Sequence, residues 1–191
     1  MAVLDIVEVG NPVLRARARK VSPEELATPE SQRLIDDMIE TMRAAGGAGI
    51  AANQVGETVR IAIAEVGDNP RYPYKPPIPL TVFVNPEIAV LDNATETLNE
   101  GCLSVPNMRG ELERHMRIRV TYLDREGVEH VEEKHGLTAG TFQHEVDHLD
   151  GVLFLDRVTD PTTLTTWAEF ERRGLEEFAA RAAEITARYG S

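Results

Sequence analysis

His144-Glu145-Val146-Asp147-His148 constrains this chain more than any other stretch of it. Residues four apart on an α-helix share a face, one turn from each other, so imidazoles at 144 and 148 can hold one divalent ion between them. The fold must then bring a further donor to that helix. A catalytic ion usually takes three protein ligands and leaves a fourth position for water. Glu145 stands beside the pair, where a carboxylate can accept a proton from water activated at the ion. Taken alone, the motif can also be a polar helix face with ordinary histidines.

Three candidates exist for the third donor. In one extended pattern a histidine follows three residues after Gly151, but that position is Phe154, which cannot ligate. A glutamate from a following helix is the second option, and Glu169 and Glu171 lie at about the right distance. The third is Cys102, the single cysteine of the chain. A cysteine packed as a small hydrophobe more often sits inside an unbroken apolar run. Cys102 lies in Glu100-Gly101-Cys102-Leu103-Ser104-Val105-Pro106, which reads as a loop. One cysteine forbids an internal disulfide. The opening Met-Ala-Val-Leu-Asp-Ile-Val-Glu has neither a basic flank nor a long apolar stretch, so a free thiol in the cytoplasm is expected.

Composition narrows the function classes. The 191 residues carry 32 acidic against 20 basic side chains, a net charge of −12. That sign argues against specific binding to a nucleic-acid backbone. No apolar run approaches the roughly 18 residues of a membrane span.

Periodicity supplies the elements. Leu34, Ile35, Met38, Ile39 and Met42 make one apolar stripe, so Ser31 to Ala45 is expected to be a helix stopped by Gly46-Gly47. Thr58 to Glu65, Leu80 to Val84 and Ile88 to Leu91 read as strands. Met116 to Leu123 and Val128 to Glu133 read as a hairpin turning at Glu126-Gly127. Pro70, Pro73, Pro76, Pro77 and Pro79 make Asp68 to Pro79 an irregular surface flap. Thr138 to Leu149 is the motif helix, with Thr138 as candidate N-cap. Asp160-Pro161 opens a terminal helix to about Tyr189 that Gly174 can kink. The expected class is α+β, with antiparallel strands packed around a central helix carrying the motif and a C-terminal helix beyond. Residues 1–191 are expected to form a single catalytic domain, with a core over about 5–157 and the terminal helix over about 161–189.

Three segments together resemble the peptide deformylase family: Gly47-Ala48-Gly49-Ile50-Ala51-Ala52-Asn53-Gln54, Glu100-Gly101-Cys102-Leu103-Ser104, and Gln143-His144-Glu145-Val146-Asp147-His148-Leu149-Asp150-Gly151. Each alone is weak, but their joint presence and order are specific. The resemblance implies a metal-dependent hydrolase that removes the formyl group from N-formylmethionine at the start of nascent polypeptides. It implies Cys102, His144 and His148 as ligands of one divalent ion. Fe²⁺ is the native expectation, with Zn²⁺, Ni²⁺ or Co²⁺ able to replace it. Glu145 becomes the general base. The Gln54 amide and the Leu103 backbone N–H face the formyl oxygen. By family position Ala48, Leu98, Leu137, Gly140 and Thr141 line the methionine pocket. Gly49, Glu100 and Gly101 flank the peptide main chain, and Arg109 meets the substrate further along. Asp147 is implied to pair with Arg114 and brace the helix.

Some relatives contact the ribosome transiently through the terminal helix. Here Arg172, Arg173, Arg181 and Arg188 alternate with Glu169, Glu171, Glu176, Glu177 and Glu184, which is a balanced surface rather than an RNA-binding one. The rival readings are a zinc endopeptidase using Glu169 or Glu171, and a catalytically inactive metal-binding relative. The first leaves the Gln54 and Cys102 segments unexplained, and the second has no use for Glu145 or Gln54.

Overall fold

The structure is a computed structural model and describes residues 2–191. Its first helices form where the sequence caps them. Ser22 and Thr28 each accept a first-turn backbone N–H and are each followed by proline, giving α1 (Pro23–Leu26) and α2 (Pro29–Ala44). The Thr28-Pro29 cap starts α2 ahead of Ser31, where the apolar stripe alone would begin it. Ile35, Met38, Ile39 and Met42 bury that stripe against Ile50, Ile61 and Ile63. Gly46, at φ +62°, ends the run.

The strands are β1 (Gly49–Ala51), β2 (Ile61–Val66), β3 (Ile78–Val90), β4 (Thr95–Cys102), β5 (Val105–His115), β6 (Arg117–Leu123), β7 (Glu129–His135) and β8 (Thr165–Thr166). They form two antiparallel sheets, ordered β1-β2-β3-β6-β7 and β4-β5-β8. The two strands expected at 80–84 and 88–91 are one strand. Asn85, at φ +52°, makes the irregularity between its halves. Its side-chain amide donates to the Val21 carbonyl at 2.8 Å and accepts the Val21 N–H at 2.9 Å, so the bend is anchored to a neighbouring segment. The hairpin β6–β7 turns as expected, with Gly127 at φ +82°.

α3 (Gly136–Leu149) runs between the sheets. It touches β1, β2 and β3 of the larger sheet and β5 of the smaller. Phe142 stacks on Phe83 with ring centroids 4.8 Å apart, and Ala139, Val146 and Leu149 fill the same core. Thr138 is not the N-cap. The helix starts at Gly136, and Thr138 Oγ1 is buried in its first turn without a hydrogen-bond partner.

The terminal segment is not one helix. After α4 (Phe154–Arg157), Asp160 caps only a short 3₁₀ turn over Pro161–Thr163. The β-branched Thr162, Thr163, Thr165 and Thr166 favour extended backbone, and β8 pairs Thr166 with Met108 and Thr165 with Arg109. α5 (Trp167–Arg173) and α6 (Leu175–Tyr189) follow, separated at Gly174. The proline-rich segment folds inward against them. Arg71 lies over Trp167 at 4.4 Å, and the Tyr74 ring meets Phe178 edge-on at 4.9 Å. It is therefore more than a surface excursion.

Candidate metal centre and active site

α3 presents His144 and His148 on one face, ring centroids 5.0 Å apart. Cys102 is the last residue of β4, not part of a loop as its neighbours suggested. The hairpin β4–β5 closes through Leu103-Ser104, and Cys102 pairs with Val105. This turn aims Sγ at the helix, 3.1 Å from His148 Nε2. One ligand atom from each of Cys102, His144 and His148 lies within 4.8 Å of the others. Two imidazoles and one thiol, largely withdrawn from water, suit a divalent ion of borderline softness. Burial holds His148 well below its usual pKa, with the His144 and Arg114 charges acting in the same sense. At His144, hydrogen bonds to Cys102 and Glu100 outweigh burial and hold the pKa well above the usual value, so His144 must give up a proton for an ion to bind.

The helix face is fixed from behind. His144 Nδ1 hydrogen-bonds Glu100 Oε2 at 2.8 Å, which turns the other ring nitrogen toward the site. Arg114 donates to both Glu100 oxygens, at 2.8 and 2.9 Å, and to Asp147 Oδ2 at 2.6 Å. Arg157 Nε donates to the same Asp147 Oδ2 at 2.5 Å, and its Nη2 donates to Oδ1. Burial opposes the charge on Glu100. The Arg114 charge and hydrogen bond, with those of His144, overcome it and hold the carboxyl far below the usual range. The Arg114–Asp147 pair is thus present, and Glu100 is committed to holding His144. Asn53, inside the first motif, donates to the His148 carbonyl and ties the helix to the 3₁₀ turn Ala52–Val55.

Glu145 is 4% exposed, and its Oε2 has no hydrogen-bond partner. Burial raises its pKa to about 7. Gln54 sits on the same 3₁₀ turn. Its Oε1 accepts the Ala51 N–H at 2.9 Å, leaving Nε2 to face Cys102 Sγ at 3.5 Å and Ser104 Oγ at 3.2 Å.

A cavity of about 50 Å³ opens at this point, lined by Ala48, Gly49, Gln54, Leu98, Glu100, Gly101, Cys102, Leu103, Arg109, Leu137, Gly140, Thr141, His144 and Glu145. Those are the residues the sequence singled out, His148 excepted, which lies behind at 1% exposure. Arg109 is in the wall rather than in solvent. Its Nε donates to Asn99 Oδ1 at 2.6 Å, and its guanidinium packs 4.2 Å from the Trp167 ring and 4.3 Å from that of Phe170. Tyr72, Tyr74, Lys75, Asn99 and Phe178 also line the cavity and went unnoticed in the sequence. The density of prolines before β3 was the one signal that pointed near them. Glu169 is outside the donor group and pairs with Arg172 at 2.6 Å and Arg173 at 3.0 Å, and Glu171 is exposed. The endopeptidase arrangement therefore lacks its third ligand.

The polypeptide deformylase family model matches residues 3–163. A peptide deformylase of Leptospira biflexa serovar Patoc is 45% identical over 159 residues, covering 83% of this chain and 89% of its own. Peptide deformylase 2 of a Nostoc species is 43% identical over 171 residues, covering 88% and 93%. A class I type b peptide deformylase from Acinetobacter baumannii, solved with Met-Ala-Ser bound, superposes with a TM-score of 0.79 at 40% identity, covering 82% of this chain and 99% of its own. On this evidence the chain belongs to the peptide deformylase family, enzymes that remove the formyl group from N-formylmethionine.

Proposed function

We propose that this chain deformylates N-formylmethionyl nascent peptides in the cytoplasm, with Cys102, His144 and His148 holding one divalent ion, natively Fe²⁺. Zn²⁺, Ni²⁺ or Co²⁺ would fill the same donors in a purified sample. The observation that carries this reading is the convergence of Cys102 Sγ with both imidazoles beside a buried, unpartnered Glu145 oxygen.

An ion held by Cys102, His144 and His148 would lower the pKa of water from 15.7 to about 7 and would polarise the formyl oxygen. The chain's own residues do the rest. Glu145 takes the proton of the attacking water and returns it to the leaving amine. The Gln54 Nε2 and the Leu103 N–H meet the negative charge that develops on the formyl oxygen. Losing one such donor costs roughly 3–4 kcal/mol, or about 10²–10³ in rate. The methionine side chain lies along Ala48, Leu98, Leu137, Gly140 and Thr141. The peptide backbone runs extended past Gly49, Glu100 and Gly101, with Arg109 further along. Encounter with substrate takes place where nascent chains emerge, so a transient ribosome contact belongs to the same reading.

Formyl-Met-Ala-Ser turnover, followed by appearance of the free amine, tests it. Metal-loaded protein should release formate and Met-Ala-Ser, and Glu145→Gln should abolish this while keeping the metal. Cleavage of internal peptide bonds instead, or no reaction, would overturn the reading.

A further inference from the structure

Arg109 is a buried cation without a counter-ion. It is 1% exposed, and no carboxylate pairs with it among the described residues. The buried guanidiniums of Arg114 and Arg60 are matched, the first by Glu100 and Asp147 and the second by Asp150. A charge withdrawn from water is costly unless it is paired and hydrogen-bonded. A guanidinium carries five N–H groups. At Arg109, Nε donates to Asn99 Oδ1 at 2.6 Å, and Nη2 donates to the Asn99 carbonyl at 2.7 Å and to the Tyr74 hydroxyl at 3.1 Å. Nη1 is buried and has no hydrogen-bond partner.

A corner of two aromatic rings stands where a carboxylate is missing. β8 pairs Thr165 with Arg109 and Thr166 with Met108, so the next residue, Trp167, falls over the guanidinium. Asn107, at φ +57°, accepts the Trp167 N–H on its side-chain oxygen at 3.3 Å and fixes the start of α5. Nearly one turn on, Phe170 completes the corner. Its ring stands at 88° to that of Trp167, and Arg109 Cζ lies 4.2 Å from the Trp167 centroid and 4.3 Å from that of Phe170. Rings attract a planar cation through their faces and accept no conventional hydrogen bond from it, so its N–H groups stay available. Tyr74, clamped edge-on by Phe178 at 4.9 Å, holds the Nη2 side. Trp167 and Phe170 both lie past residues 3–163, which the family model matches.

The place of Nη1 shows what this arrangement serves. A Cβ built on Gly101 would stand 3.5 Å from it, so Nη1 lies beside a residue with no side chain to cover it. Arg109 lines the cavity, and the substrate backbone is proposed to run past Gly101. A carbonyl arriving there meets a charged donor already stripped of water. Hydrogen bonds to a charged group are roughly twice as strong as neutral ones.

We propose that Trp167 and Phe170 are positioning residues for this reaction: they hold the Arg109 guanidinium against Gly101, where Nη1 donates to a backbone carbonyl of the peptide beyond its first residue. The inference rests on the deformylase reading and on the peptide running past Gly101.

The test compares a long substrate, formyl-Met-Ala-Ser-amide, with a short one, formyl-Met-amide, on the metal-loaded full chain. The methionine is common to both, so its pocket cancels. Trp167→Leu should raise KM for the long substrate about tenfold with kcat little changed, and the loss should be absent for the short one. Trp167→Phe should restore most of the long-substrate KM, because it returns a ring. Arg109→Met combined with Trp167→Leu should cost no more than Arg109→Met alone, since one acts through the other. Phe170→Leu is read in the same way and serves if Trp167→Leu fails to fold. Equal losses on both substrates, or additive losses in a folded double variant, overturn the inference. Absent turnover of both substrates by wild type would instead sink the deformylase reading. Calorimetric affinities of Met-Ala-Ser-amide and Met-amide across the same variants would still decide on Trp167 and Phe170.

Discussion

Gly49 lies against the Glu145 carboxylate with no room for another carbon. A Cβ at position 49 would come within 2.6 Å of Glu145 Cδ and 2.9 Å of Cγ. Gly49 does not have a positive φ, so alanine fits the backbone of β1 and the conflict is with the side chain alone. The backbone of α3 is packed between two sheets, so the Glu145 side chain is what must give way. Gly49→Ala should therefore move the carboxylate and lower formyl-Met-Ala-Ser turnover by about 10²-fold, the usual cost of a misplacement near 1 Å. Metal content should be unchanged. Turnover within about threefold of wild type would show that the close approach has no part in positioning the base.

Glu100 connects the metal face to the charge network behind it. With Arg114 and His144 both satisfied by one carboxylate, Glu100→Gln keeps the shape but removes the charge that orients the imidazole. Loss of such an outer partner typically lowers metal affinity about 10–100-fold. Competition against a chelator of known affinity measures this directly. An unchanged dissociation constant would mean that α3 alone sets the His144 orientation.

The ligand set separates the two readings of the motif. If Cys102 completes the site, Cys102→Ala should weaken metal binding severely, and Glu169→Ala should not. A chelator should lower the melting temperature of wild type and leave Cys102→Ala where it already is. Bound metal at 100 times its dissociation constant adds roughly 2.7 kcal/mol of stability. A chelator shift that survives in Cys102→Ala and disappears in Glu169→Ala would reverse the assignment.

Much of this centre was legible in the residues, and what was not has physical causes. The motif helix and the β6–β7 hairpin announce themselves by spacing, because their periodicity is local. β4 and β5 do not. Glu96, Glu100, Glu111 and Glu113 interrupt their alternation, since these strands carry ion pairs such as Arg114–Glu100 and Arg181–Glu111. Cys102 looked like a loop residue for the same reason. The terminal helix was overextended because a proline after an aspartate signals a helix start, whereas β-branched threonines then pair Thr165 and Thr166 with β5. Lys75 was invisible as a cavity residue. Its position depends on Tyr74 meeting Phe178, more than a hundred residues later in the chain, and no local pattern encodes such a meeting.

Lys75 also makes a prediction about stability that needs no substrate. Its folded pKa, drawn by burial to about 8 from 10.5, lies below that of the unfolded chain. Between these values the unfolded state binds more protons than the folded one, so this residue's contribution to stability rises with pH across that window. Below about pH 8 the ammonium is charged in both states, and its burial cost is constant and largest. Above about pH 10.5 both states are neutral, and the cost is gone. Other groups titrate over the same range, so the readout is the difference between wild type and Lys75→Met in urea unfolding. That difference should shift in favour of wild type as pH is raised from 8 to 10.5, and stay flat between pH 6 and 7. A flat difference across the higher range would mean that Nζ is as well solvated in the folded chain as in the unfolded one, and that the clamp of Tyr74 by Phe178 does not hold the ammonium at the cavity.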